Sequence, residues 1–197
     1  MSAVTTQDVF SPEQYLALER NASFKSEFHE GHIYAMTGAS REHNLVSINI
    51  AGEFRDQLKN RPCEAYLNDM RVKAATARNY FYPDAAVVCG QPVFEDGHHD
   101  TMLNPTVLIE VLSPTTEAYD RGDKFRQYRN IASLQEYLLV SQNKPLIERF
   151  VRQGDGWVLT AHEGVDAVVT VEAIDCTLAL SEVYHKVTFE PEEDSIS

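Results

Sequence analysis

The segment Thr106-Val107-Leu108-Ile109-Glu110-Val111-Leu112 is apolar on both faces of an extended chain, with the single exception of Glu110. Side chains of a strand alternate between two faces, so such a run needs cover on both sides and belongs at the centre of a sheet in an α/β fold. One carboxylate inside it is costly, because a buried charge needs a charged partner or a cation. The fold must therefore place a buried Lys or Arg beside Glu110, or use the acid.

The elements around that strand are legible from local pattern. Ser11-Pro12-Glu13-Gln14 has a cap, a proline at the first helical position and a capping-box glutamine, which predicts a helix over about 11–21. The segment 24–36 alternates around Glu30-Gly31 and predicts a hairpin. From Ser40 the period changes: Val46, Ile50, Phe54 and Leu58 recur every fourth residue, predicting a helix of about 40–60 that packs on a sheet and ends at Arg61-Pro62. Strand-length apolar runs follow at 63–67, 70–75, 85–89 and 106–112, and Arg71 and Lys73 alternate with apolar residues as on an edge strand with one wet face. Residues 95–104 lack periodicity and read as an exposed loop, which His98-His99 share. An amphipathic helix over 116–130 leads to a strand at 136–140, as in a parallel crossover. Antiparallel strands at 146–151, 157–161 and 168–171, with a turn at Gly154-Asp155-Gly156, and a short helix at 180–185 complete one mixed α/β domain over 1–197, with its core in about 10–150 and an acidic tail at 190–197.

Seventeen basic against 30 acidic residues give a net charge of −13, which opposes general attraction to phosphate backbones or anionic membranes. Any phosphate site then needs a local basic patch or a cation. The three cysteines, Cys63, Cys89 and Cys176, are odd in number and widely spaced, which predicts neither a disulfide framework nor a metal pair and suggests a reducing compartment. The start of the chain has no charged-then-apolar leader pattern, and no apolar run reaches about 18 residues, so the expectation is a soluble cytoplasmic protein without a membrane partner.

The residues that can carry chemistry are Asp84, after Pro83 at the opening of one strand, and Glu110 inside another, followed by Asp120-Arg121-Gly122-Asp123-Lys124 at a helix start. On neighbouring strands the two acids would stand a few ångströms apart, which at neutral pH requires a shared proton or a bound cation. An all-oxygen site suits Mg²⁺, with Mn²⁺ as a substitute, and these ions take further ligands from phosphate oxygens. A metal would also supply the positive charge that an acidic chain lacks.

Taken in order, the segments S-E-F-H-E-G, R-E-H-N, D-M-R-V-K, Y-P-D-A-A-V-V-C, L-I-E-V-L-S-P-T-T-E-A-Y-D-R-G-D-K-F-R-Q-Y and S-L-Q-E-Y-L-L-V resemble the Uma-type restriction endonucleases of the PD-(D/E)xK nuclease superfamily. The resemblance runs from about residue 10 to 150. It implies a restriction-endonuclease-like mixed β-sheet core flanked by helices, with antiparallel C-terminal strands, and Mg²⁺-dependent hydrolysis of DNA. It assigns Asp84 and Glu110 as metal ligands, the Val111 carbonyl as a third, and Glu27 as an acid that completes the shell directly or through water. The superfamily motif places a lysine two residues after the second acid, where this chain has Leu112. Lys124, on which the D-R-G-x-K-F segment falls, is the first candidate to replace it, and Lys73 is the rival. His43 can touch the phosphate or assist a proton transfer, or be a helix-face histidine that satisfies a local hydrogen bond.

Each assignment has a plainer reading. Asp84 can be a turn residue after proline, and Asp120 and Lys124 can be an i,i+4 pair on a helix surface. Arg121, Lys124, Arg126 and Arg129 can be a phosphate-contact patch or a solvated helix face. At the level of function, the rivals to a DNA endonuclease are a catalytically degraded relative that binds a partner, and a metal-dependent hydrolase of a small phosphate ester. A homodimer is compatible with exposed strands within 146–171, since duplex cleavage needs two sites.

Overall fold

A helix of 18 residues, α2 (Arg41–Leu58), lies along one face of the central sheet, and its stripe of Val46, Ile50, Phe54 and Leu58 is buried as its period requires. Each of those side chains contributes about 1.5–3 kcal/mol of transfer free energy. Ser40 caps the helix by accepting from the His43 N–H, a contact worth about 1 kcal/mol. The computed structural model describes residues 9–74 and 79–189; the acidic tail lies outside them.

The helix packs on a six-stranded sheet ordered β11-β10-β9-β8-β6-β3. Its strands are β3 (Cys63–Leu67), β6 (Ala85–Cys89), β8 (Val107–Leu112), β9 (Glu136–Ser141), β10 (Leu146–Gln153) and β11 (Gly156–Glu163). All residues of β8 are buried, as its two-sided apolar pattern demands. It runs parallel to β9 and antiparallel to β6, and the β8-to-β9 connection is the expected crossover. Val107, Ile109 and Val111 face α2, while Leu108 and Leu112 face Phe81, Tyr128 and Tyr137 on the other side. A separate hairpin of β12 (Val168–Val171) and β13 (Cys176–Ala179), with α5 (Leu180–Val183), closes the α2 face.

A second sheet, ordered β2-β1-β5-β4-β7, covers the opposite side. It comprises β1 (Ser26–His29), β2 (His32–Ala35), β4 (Arg71–Ala74), β5 (Asn79–Phe81) and β7 (Thr101–Met102). The β1–β2 hairpin turns on Glu30 and Gly31, both at positive φ, the signature of a two-residue primed turn. A side chain at Gly31 would also collide with Val9. Helix α1 (Pro12–Glu19), with the full Ser11–Gln14 capping box, packs Tyr15 and Leu16 on this sheet.

Several expectations need correction. The loop at 95–104 includes β7, whose Thr101 and Met102 are buried because they pair parallel with β4. With β7 outside it, β4 is not an edge strand. Arg71, expected on a wet face, is buried: Nε donates to Thr101 Oγ1 and Nη1 to the Tyr82 hydroxyl, both at 3.0 Å, and Nη2 lies 3.0 Å from Asp100. The predicted helix at 116–130 consists of α3 (Glu117–Tyr119), a π-helical turn at Asp120–Lys124, and α4 (Phe125–Tyr128). The short strands β5 and β13 carry too few residues to show a period.

The cysteines also depart from expectation. The antiparallel register of β3 against β6 sets Cys63 opposite Cys89, and the two form a disulfide. Wide spacing in sequence does not report proximity across two strands, and the inference of a reducing compartment from unpaired thiols loses its premise. Cys176 is free and buried. Among the described residues no helix is long and apolar enough to cross a membrane.

Candidate active site

Glu110 points from the buried centre of β8 to the face covered by the second sheet and α4. Since β6 pairs with β8 at Ala85 and Ile109, the Pro83-Asp84 step just before β6 brings Asp84 level with Glu110 on the neighbouring strand. Its carboxylate is fixed from two sides: Oδ2 accepts the Val111 N–H at 2.7 Å, and Oδ1 lies 2.8 Å from His43 Nε2 in the first turn of α2. The hydrogen bond that His43 makes is therefore with Asp84, 41 residues on, and not local to its helix. Val111 meets Asp84 through its amide.

Glu27 comes from β1 in the other sheet. Its Oε1 accepts the backbone N–H of Tyr82 at 3.0 Å, which ties β1 to the chain entering Pro83-Asp84. The two sheets therefore deliver three acids to one place. The π-helical turn brings the cation: Lys124 Nζ stands 2.9 Å from Glu110 Oε1, 3.0 Å from Glu27 Oε1 and 3.6 Å from Asp120 Oδ1. Lys124 is only 6% exposed, so the Asp120–Lys124 pair is interior and not the surface pair its spacing allows. A π-turn shifts residues around the helix relative to a regular α-helix and is frequent at functional sites.

Lys73 is elsewhere. Its ammonium pairs with Glu95, which also accepts from the Tyr80 hydroxyl. Of the two candidates for the displaced motif lysine, only Lys124 reaches the carboxylates. Two further residues join the site: Asp120, named from sequence within the candidate run and as a surface partner of Lys124, through Lys124, and Tyr128, which was not anticipated and whose hydroxyl donates to Glu110 Oε1 at 3.1 Å. The i,i+4 spacing of Asp120 and Lys124 was the signal available for the first. Nothing local marked the second.

Burial pushes the Glu110 carboxyl well above its ordinary range, with Asp120, Asp84 and Glu27 adding to the rise and Lys124 opposing it. Burial likewise raises Asp120. For Lys124, burial pulls the ammonium down, but Glu110 and Glu27 outweigh it and hold the group well above the usual lysine range. Lys124 stays an ammonium. The other basic residues of its segment are largely neutralised, Arg121 by Glu117 and Glu148 and Arg126 by Asp123, which weakens the reading of this stretch as a phosphate-contact patch.

A hard divalent cation fits the donor set in kind: every acid offers oxygen, and the acids bring more negative charge than one ammonium offsets. The site is not preformed, because the carboxylates turn toward Lys124, His43 and the Val111 N–H. Among the described residues no group of three His, Cys, Asp or Glu side chains is arranged to hold a metal ion as it stands.

Residues 12–181 match the Uma2 family, described as "Putative restriction endonuclease". Two uncharacterized proteins of Synechocystis sp. are similar along most of their length. The protein sll1609 is 36% identical over 170 residues, which is 86% of this chain and 96% of the relative. The protein slr1290 is 34% identical over 180 residues, or 91% and 93%. The fold matches the crystal structure of "a putative nuclease belonging to DUF820" from Anabaena variabilis with a TM-score of 0.74 at 17% identity, covering 89% of this chain and 97% of that one. The fold is therefore of the same mixed α/β kind as that protein's. With a family match across both sheets and the relatives aligned nearly end to end, the chain belongs to the Uma2 family.

Proposed function

We propose that this chain is a metal-dependent endonuclease that hydrolyses DNA phosphodiester bonds. The observation that carries the reading is Lys124, an ammonium within 3.0 Å of both Glu110 and Glu27 in a chain whose motif position holds Leu112. Asp84, Glu110 and Glu27, with the Val111 carbonyl, are the residues to hold Mg²⁺, or Mn²⁺ in its place. When bound, the ion supplies Lewis-acid polarisation of the phosphoryl group and a more acidic water. Lys124 orients the attacking water as a donor, not a base, and offsets negative charge that builds in the transition state. His43 and the Val111 N–H hold Asp84, and Tyr128 holds Glu110. Phe81 and Tyr128, whose rings lie 5.9 and 6.0 Å from Lys124 Nζ, limit water around the ammonium.

The test is cleavage of supercoiled, linear and single-stranded DNA with Mg²⁺ or Mn²⁺. The expected result is cutting that falls by at least about 10²-fold in Asp84→Ala and in Glu110→Ala. Absence of cutting with every substrate and both metals would sink the reading.

One observation favours a second reading, a relative that has kept the fold but not the catalysis: the acids are engaged with protein partners and are not arranged to hold a metal ion as they stand. On that reading Mn²⁺ binds the native chain no better than Asp84→Ala. On the first, binding is measurable and lost in the variant.

A further inference from the structure

The six-stranded sheet ends on one side at β11, whose eight residues pair with β10 without a break. Every residue of β11 is exposed or half-exposed, and Val158 and Leu159 are 42% and 49% exposed. Edge strands of soluble proteins are usually guarded by lysine, proline, a bulge or extreme shortness. This strand, Gly-Trp-Val-Leu-Thr-Ala-His-Glu, has none of these, and its one acid is terminal. The other edges of the two larger sheets differ: β7 has two residues, β2 has four, and β3 carries Glu64 inside a five-residue strand.

We propose that β11 is a self-association seam, on which the β11 of a second copy of this chain pairs antiparallel. Self-complementarity selects the occupant and the register. A chain of net charge −13 repels its copies over most of its surface, which confines self-association to an edge that is long, nearly uncharged and able to pair with its own copy without opposing like charges. Partners across an antiparallel seam both turn their N–H and C=O inward or both outward, so at the two-fold axis a residue faces itself. Pairing centred on Leu159 would set Asp155 opposite Glu163, two like charges. Centred on Thr160, the seam places Thr160 on its own copy, Leu159 on Ala161, Val158 on His162 and Trp157 on Glu163. No like charges then oppose, and the Thr–Thr and apolar pairs are favourable cross-strand neighbours.

The topology fixes what such a dimer does with its sites, a consequence that rests on the nuclease reading. β11 runs in the same direction as β8, because two antiparallel steps separate β9 from β11 and β9 is parallel to β8. The copy's β8 therefore runs the opposite way. Its site lies at the other end of the joined sheet, about seven strand spacings away, roughly 34 Å. The two sites cannot close on one base pair from both sides, so each cuts a single strand by itself.

Sedimentation velocity over about 5–200 µM tests the seam without any nucleic acid, which separates its failure from failure of the nuclease reading. The expected result is a concentration-dependent dimer that Leu159→Lys with Ala161→Lys weakens by at least about a hundredfold, since the substitutions oppose ammonium groups across the seam. At a concentration where the native chain is monomeric, the melting temperature of that variant should match the native chain. Thr160→Cys should crosslink to its own copy under mild oxidation, because opposed Cα atoms about 4.5–5.5 Å apart suit a disulfide, whereas Val93→Cys, also exposed, should not. A native chain that remains monomeric throughout, a dimer indifferent to the paired lysines, or crosslinking at position 93 in place of 160 overturns the proposal.

Discussion

Lys124 Nζ lies 2.9 Å from Glu110 Oε1, although the two residues belong to different elements and the residue two after Glu110 on its strand is Leu112. The ammonium reaches the acid from a π-helical turn above the strand, not from the strand itself. That one relationship makes Glu110 tolerable inside β8. It also ties the candidate chemistry to the stability of the turn at Asp120–Lys124.

Removing the ammonium should therefore have two opposite effects. Lys124→Met should cut DNA at least about 10²-fold more slowly and, without metal, should lose about 3–5 kcal/mol of stability by leaving buried acids unpaired. With Glu110 and Glu27 freed, Mn²⁺ should bind more tightly than to the native chain. Thermal unfolding with and without Mn²⁺ checks this: the metal-induced rise in Tm should be larger in the variant.

The amine should be movable. Leu112 shares the face of Glu110 on β8 by strand alternation and is buried in the same cluster. Leu112→Lys added to Lys124→Met should recover part of the lost cleavage, measured as single-turnover rate. No recovery would mean that the position of the amine, and not just its presence, is fixed by the π-turn.

Lys73→Ala should leave cleavage unchanged. Its partner Glu95 is bound to Tyr80 outside the acid cluster, and Lys73 is one third exposed, so stability should fall by no more than about 1 kcal/mol. A loss of cleavage equal to that of Lys124→Met would reverse the assignment of the two lysines.

Arg71 holds β4, β7 and α1 together through Thr101, Tyr82 and Asp100, and it stacks over Tyr15. Arg71→Met should destabilise the fold by about 3 kcal/mol, read from urea unfolding. Because the Asp100 carboxylate is shared between this guanidinium and that of Arg20, combining the change with Asp100→Asn should give less than the sum of the two.

Acid should weaken the same cluster. The Arg20 guanidinium hydrogen-bonded to Asp100 holds its carboxyl well below the ordinary carboxylate range against the opposing effect of burial, and Arg71 and Thr101 add to the lowering. A folded value below the unfolded one means the contribution is complete above about pH 4 and is lost as pH falls toward the folded value. The native chain should exceed Asp100→Asn in urea midpoint at pH 6, with the gap narrowing by about pH 3. A constant gap across that range would contradict the linkage.

What the sequence by itself determined is what depends on neighbours along the chain. The two-sided β8, the four-residue stripe of α2, the Ser11 capping box and the Glu30-Gly31 turn all follow from periodicity, capping and backbone preference, and all are present. The placement of Asp84 beside Glu110 was also legible, because it needs only that two apolar strands be adjacent. The tertiary structure decided the rest. It brought Lys124, and not Lys73, to Glu110 and Glu27, since reach depends on the π-turn and on how the helix sits over the sheet. It brought Tyr128 to Glu110, buried Arg71 by adding β7 beside β4, and joined Cys63 to Cys89 through strand register. Each of those contacts links elements distant in sequence, and a one-dimensional pattern carries no information about which side chain crosses the gap.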